Sequence, residues 1–136
     1  MSEQEKETAV KFLEAQDRLR GGPAEELCGA GYTAYLASFP PMDLAGHKEF
    51  SAAFYAGFPD LQHKIETVIA EGERVAVSFR IIGTNTATFM GTPASGQPIE
   101  VDALALMTIR SDKVTELRGQ FDQMGVLRQI GALPRQ

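Results

Sequence analysis

The sequence contains one cysteine and two histidines, and these small numbers exclude several kinds of site. Cys28 cannot form an internal disulfide and has no partner at metal-ligand spacing, so we expect a small buried hydrophobic residue there. His47 and His63 are too far apart in sequence for a helical ligand pair, and we expect both at the surface. The pattern therefore predicts neither a metal site nor a cofactor.

The chain also lacks a basic surface and a long apolar segment. It has 13 Lys and Arg against 18 Asp and Glu, with a formal net charge of −5, and the basic residues are scattered. Nucleic-acid backbones require a positive stripe, so we expect no nucleic-acid partner. No apolar run approaches the roughly 20 residues that span a bilayer, and the first twelve residues are too charged for a signal peptide. We expect no membrane partner and a cytoplasmic location.

The amino-acid composition is that of one globular domain. The 136 residues are 43% hydrophobic and 23% charged, which is typical of a folded protein, and we predict a single domain over residues 1–136. A domain of this size buries roughly 68% of the surface that its unfolded chain exposes. The length is therefore sufficient for a core with a cavity inside it.

The first half of the chain has helical periodicity. Residues 3–20 predict an amphipathic helix that ends at a Gly-Gly-Pro sequence, and 23–31 predict a short second helix. Residues 32–39 predict a short strand. A third helix is predicted over 45–58, where Phe50, Phe54 and Phe58 form one aromatic stripe. Such a stripe is either core or the wall of a ligand pocket, and we take Phe54 as a candidate ligand-binding residue.

From Lys64 onward the period changes to two, which is typical of strands. Residues 64–71 and 73–83 predict a hairpin, 84–89 are expected to continue the sheet, and 90–98 predict a loop. A second hairpin around Ser111-Asp112 joins 99–110 to 113–121, and a short helix follows at 122–131. The order predicts an α+β fold in which N-terminal helices pack on a strongly bent antiparallel sheet.

The stretch RGQFD at the end of the last predicted strand carries a polar trio, Arg118, Gln120 and Asp122. Alternate strand residues share a face, so these side chains are neighbours. A two-residue turn at 111–112 would place each member of the trio opposite a residue of the preceding strand. Arg118 would face Ala105, Gln120 would face Ala103, and Asp122 would face Val101. The small residues leave room for a pocket, and the reverse face is apolar, with Leu104, Leu106, Leu117 and Phe121. A bulge would shift this register by one residue and exchange the faces.

Residues 54–101 and 109–134 together resemble the SnoaL-like polyketide cyclase branch of the nuclear-transport-factor-2-like superfamily. The resemblance is carried by Phe-Pro-Asp-Leu at 58–61, Gly-Thr at 83–84, Gly-Thr-Pro at 91–93 and Asp122 at the start of the final helix. It implies a cone-shaped barrel that encloses a deep apolar pocket, and a homodimer. Related proteins include cyclases, ketosteroid isomerases, epoxide hydrolases, dehydratases and proteins that only bind or assemble, so function must be argued from the pocket.

The resemblance further implies that Asp122 is the general acid/base of an aldol ring closure. Because the polar trio faces Ala103 and Ala105, we expect Arg118, Gln120 and Tyr35 to hold an oxygenated substrate. The sequence departs from the family pattern at three positions. Arg118 replaces a common Trp, and Tyr35 and Asn85 replace histidines. Tyr35 either donates a hydrogen bond to substrate or packs in the wall, and Asn85 is expected to be a strand-end or loop residue.

Two functions therefore stay open from the sequence. The first is a cyclase, isomerase or lyase that uses acid-base chemistry without a metal. It would act on a small apolar or polyketide-like molecule. The alternative is a non-catalytic ligand-binding or dimerisation domain of the same fold. For either function we expect a homodimer through the apolar outer face of the sheet.

Overall fold

The computed structural model describes residues 2–133 and is an α+β fold, as the sequence predicts. Its elements, in chain order, are α1 (Ser2–Leu19), a 3-10 turn (Glu25–Leu27), β1 (Cys28–Leu36), α2 (Leu44–Gly57), β2 (Gln62–Glu71), β3 (Arg74–Thr84), β4 (Pro98–Arg110), β5 (Lys113–Phe121) and α3 (Gln123–Gln129). None of the helices in this part of the chain is both long and apolar enough to cross a membrane.

The five strands form one sheet in the order β1-β5-β4-β3-β2. The pairs β2·β3, β3·β4 and β4·β5 are antiparallel, as expected. The first strand, however, pairs with β5 in parallel, so the sheet is mixed. Such a parallel neighbour needs a long crossover, and here α2, β2, β3 and β4 lie between the two strands in the sequence.

The segment 23–31 differs from the predicted second helix. Only Glu25–Leu27 form a helical turn, and the chain enters β1 at Cys28. Pairing with β5 supplies backbone hydrogen bonds that a short isolated helix could not match. Gly29 allows this close pairing, because a Cβ at its position would lie 2.9 Å from the Thr115 side chain. Tertiary contact therefore overrides the local helical pattern.

The segment 84–89 also differs from the prediction, because β3 ends at Thr84 and a loop follows. Asn85, which is fully buried, organises this loop with its side chain. Its amide donates to the carbonyls of Gly57 (3.2 Å) and Ala87 (2.8 Å). Its Oδ1 accepts from the backbone N–H and the hydroxyl of Ser95. The side-chain amide thus adds to the backbone hydrogen bonds that Asn85 makes with Gly96 and Gln97, and Asn85 is a loop residue as expected.

The hairpin between β4 and β5 has the predicted turn but not the predicted register. Ser111 and Asp112 both have positive φ, as a tight two-residue turn requires, and Arg110 pairs with Lys113. The pairing then shifts at a bulge, where Thr115 is the extra residue and its hydroxyl donates to the Thr108 carbonyl (3.3 Å).

The bulge exchanges the two faces of β5 relative to β4, so the predicted register was wrong. Leu106 pairs with Arg118 and Leu104 with Gln120, and all four lie on the exposed outer face. The inner face instead carries Ala103, Ala105, Leu117, Gly119 and Phe121.

The core lies between this inner face and helices α1 and α2. The predicted alternation in β3 is confirmed, because Val75, Val77, Phe79 and Ile81 are all buried. The helices contribute Ala9, Phe12 and Leu13 from α1, and Phe54 and Tyr55 from α2, together with Phe58 just beyond its end. Asp43 caps the start of helix α2, because its side chain accepts a hydrogen bond from the Gly46 N–H (2.8 Å).

Candidate active site

A cavity lies between the inner face of the sheet and helices α1 and α2. Its volume, taken as the space open to the centre of a water-sized sphere, is about 80 Å³. All of its empty space, including the solvent at its open mouth, amounts to about 640 Å³. Ligand sites are commonly concave and mostly apolar, as this cavity is. The narrow interior favours a slender or flat ligand.

Small residues on the two central strands create this space. Ala103 and Ala105 on β4 and Gly119 on β5 all line the cavity. A Cβ at Gly119 would lie 2.9 Å from the Leu36 side chain, so even alanine would crowd this wall. The apolar wall also contains the aromatic residues Phe50, Phe54 and Phe121, whose ring centroids lie 5.3 to 6.5 Å apart.

His63 enters the cavity from the inner face of β2 and is held by Asp17 of α1. Its Nδ1 lies 2.7 Å from Asp17 Oδ1, and its backbone N–H donates to Oδ2 (2.8 Å). The Tyr55 hydroxyl also donates to Oδ1 (2.6 Å). Burial raises the pKa of Asp17, but these hydrogen bonds and the electrostatic interaction with the His63 ring outweigh burial and lower it. Asp17 is therefore an ionised acceptor that orients the imidazole.

His47 lies in the first turn of α2 and is only 3% exposed. Its Nδ1 is 2.8 Å from the hydroxyl of Tyr32, and the two rings stack at 6° with centroids 5.9 Å apart. Burial, and to a lesser extent the nearby His63, lower the pKa of His47 to about 4. At neutral pH this imidazole is uncharged.

Further polar groups of the cavity come from the helices. Gln16 and Ser51 are both buried, and the Ser51 hydroxyl lies 3.5 Å from Gln16 Oε1. The sheet side is almost entirely apolar, and within residues 2–133 no Lys or Arg lines the cavity. The arrangement can bind an uncharged molecule with its oxygens toward the helices and transfer a proton through histidine.

Of the residues predicted from the sequence, Phe54 and Gln120 border the cavity, although Gln120 is exposed. Asp122 is exposed and caps helix α3, where its Oδ1 accepts from the Gly125 N–H (2.8 Å). Arg118 lies on the outer face, with its guanidinium 4.1 Å from the centre of the Tyr35 ring. The structure therefore leaves Arg118 and Asp122 outside the cavity and Gln120 at its border, because the bulge reverses the faces of β5 relative to the predicted register.

His47 and His63 are the functional candidates that the sequence reading missed, and the expectation that both lie at the surface was wrong. The periodicity contained a signal for each of them. His47 precedes Phe54 by seven residues, which places it on the aromatic stripe of α2. His63 precedes the inward-facing Ile65 by two residues on β2.

The model of the SnoaL-like polyketide cyclase family matches residues 8–130 of the chain. The chain belongs to this family. Among curated proteins, none matches. A candidate SnoaL-like polyketide cyclase from Jannaschia sp. CCS1 is a similar solved structure, with 30% identity, coverage of 98% of this chain and 95% of that one, and a TM-score of 0.85.

Two more distant structures share the fold of this SnoaL-like chain. IdmH, a candidate polyketide cyclase from Streptomyces antibioticus, is 24% identical, with coverage of 94% and 99% and a TM-score of 0.84. A protein with a ketosteroid isomerase-like fold from Catenulispora acidiphila is 18% identical, with coverage of 94% of each chain and a TM-score of 0.78. In this SnoaL-like protein, the polar groups inside the cavity are contributed by α1, α2 and β2.

Proposed function

We propose that this SnoaL-like chain is an acid-base enzyme of the cyclase or isomerase type that acts on a small, uncharged, polyketide-like molecule in the cavity. The observation that carries the proposal is the Asp17–His63 pair at the cavity wall. Asp17 accepts the Nδ1 proton, so Nε2 of neutral His63 has a free lone pair, as a general base requires.

The chemistry follows from this placement. Nε2 of His63 removes a proton from a carbon next to a carbonyl group, and the electrons of the broken C–H bond form an enolate. In a ring closure, the enolate carbon attacks a second carbonyl of the same molecule, and the new alkoxide takes the proton back from His63. In an isomerisation, the proton returns to a different carbon of the same molecule.

Asp122, which the family resemblance implies as the base, is the alternative proton acceptor. The wild-type protein should accelerate exchange of the α-hydrogens of 2-tetralone in D2O, measured by mass spectrometry. We expect Asp122→Ser to retain the wild-type rate, because serine also caps helices and the carboxylate lies outside the cavity. A loss of roughly 10²-fold would instead assign the base to Asp122.

A cavity-filling variant controls for reaction outside the site. Ala105→Leu should abolish the acceleration by filling the space beside Gly119, whereas Ala76→Leu makes the same change on the outer face and should not. Binding of 2-tetralone without any accelerated exchange would contradict catalysis and support the alternative, a ligand-binding domain.

The same fold supports a second proposal, a homodimer through the outer face of the sheet. Leu104 and Ile69 are 62% and 63% exposed there, and Leu106 is 38% exposed. Ile69, Ala76 and Leu106 occupy one cross-strand row on neighbouring strands. Covering this apolar row would bury surface that is costly to leave in water.

We expect Leu104→Lys to convert a dimer into a monomer, because the lysine charge would have to be buried in the interface. Sedimentation velocity at micromolar concentration measures this change, and Ala52→Lys, on the exposed side of α2, is the matched control. A wild-type protein that sediments as a monomer throughout this range would contradict the proposal.

A further inference from the structure

Tyr32 determines which ring nitrogen of His47 carries the proton. The Tyr32 side chain is buried, and within residues 2–133 its hydroxyl has one hydrogen-bond partner, His47 Nδ1. Were Nδ1 protonated, the tyrosine proton would have no acceptor, which costs roughly 1–3 kcal/mol. The hydroxyl therefore donates to Nδ1, and the proton of neutral His47 resides on Nε2.

The two histidines of the cavity consequently have opposite tautomers. His47 lines the cavity, and no group in the described part of the chain hydrogen-bonds to its Nε2–H. His63 lines the same cavity, and Asp17 fixes its proton on Nδ1. One imidazole thus presents a hydrogen-bond donor and the other a proton acceptor, each fixed by a hydrogen-bond partner from a different element.

We propose that His47 binds the carbonyl oxygen of the substrate through Nε2–H while His63 removes the neighbouring proton, so that the substrate is an uncharged ketone or ester with an acidic α C–H. This inference rests on the proposed function. During the reaction the C–H bond breaks and its proton moves to Nε2 of His63. The C–H electrons form a carbon–carbon double bond, and the carbonyl π electrons move to oxygen. His47 stabilises that oxygen with a hydrogen bond and keeps its own proton.

The charge of the site agrees with this assignment. Within residues 2–133 no Lys or Arg lines the cavity, so a carboxylate or phosphate on the ligand would have no cation to pair with. A neutral donor such as His47 matches a neutral carbonyl and becomes more favourable as the oxygen acquires charge.

The tautomer is tested on the ligand-free protein by ¹⁵N NMR of labelled histidine at pH 7. We expect His47 to have a protonated Nε2 and a bare Nδ1, and Tyr32→Phe to abolish this preference. A proton on Nδ1 of His47 in the wild-type protein would overturn the inference.

The ligand class is tested by calorimetry with two probes of equal shape, 2-tetralone and tetralin, which lacks the carbonyl. We expect the wild-type protein to bind the ketone more tightly. His47→Leu should weaken 2-tetralone binding roughly 10-fold and leave tetralin unchanged. His47→Gln, whose amide N–H lies near the position of Nε2, should retain most of the affinity.

The role of His47 would be contradicted if His47→Leu changed the affinity for both probes equally or for neither. It would also be contradicted if the wild-type protein did not prefer the ketone. These outcomes are independent of turnover. If the ketone preference holds but wild-type protein does not accelerate α-hydrogen exchange, the proposed enzyme function fails while the binding role of His47 stands.

Discussion

Replacing His63 with glutamine is expected to slow α-hydrogen exchange of 2-tetralone by roughly 10²–10⁴-fold, which is the usual contribution of a positioned general base. Glutamine preserves the approximate size of the side chain but cannot accept a proton at neutral pH. The affinity for 2-tetralone should change little, because the apolar walls of the cavity are intact. Exchange rates by mass spectrometry and affinities by calorimetry measure the two effects separately.

Asp17→Asn should produce a smaller loss, of roughly 10-fold, because His63 retains its nitrogen but loses its fixed orientation. The asparagine amide cannot accept both the backbone N–H and the Nδ1 proton that the two carboxylate oxygens accept now. Lys64→Gln is the matched control, since Lys64 is the next residue of β2 and is exposed. An unchanged exchange rate in the His63→Gln variant would show that a group other than His63 is the base.

The secondary structure was predictable wherever one residue pattern dominated a segment. The alternation in β3 predicted which residues are buried and was confirmed. The aromatic stripe of α2 is buried at Phe54 and Phe58 and partly buried at Phe50. The bulge at Thr115 could not be located in the same way. A bulge depends on which backbone groups pair across strands and on a single hydroxyl contact to Thr108, and neither changes the hydrophobic pattern of the sequence.

The candidate site was less predictable than the fold because its polar groups meet only in three dimensions. Asp17 and His63 are 46 residues apart and lie on a helix and a strand. Tyr32 and His47 likewise belong to different elements. Periodicity can place each histidine on an inner face, but it cannot show that a carboxylate or hydroxyl of another element lies at hydrogen-bond distance. The family resemblance drew attention to Asp122, whose position at a helix start is equally explained by capping.

The buried, neutral His47 should make the protein sensitive to moderate acid. Its pKa is about 4 in the folded protein and 6.5 when unperturbed. Between these values the unfolded chain binds a proton that the folded chain does not, so stability falls as the pH falls. The contribution of neutral His47 to the stability is fully present above about pH 6.5 and is lost below about pH 4. A pKa difference of this size corresponds to about 3 kcal/mol in the free energy of unfolding.

His47→Gln separates this effect from all other titrations, because glutamine has no proton to gain. Urea unfolding at pH 7.5, 6, 5 and 4 should show the wild-type free energy of unfolding approaching that of the variant as the pH falls, and the difference should change by about 3 kcal/mol. Carboxylates contribute in a lower window: the pKa of Asp17 lies below its usual value of 3.8, so its loss of stabilisation begins where the effect of His47 ends. Parallel pH profiles for the two proteins would show that His47 is not buried in its neutral form, which would also remove the basis for its role as a donor to a carbonyl.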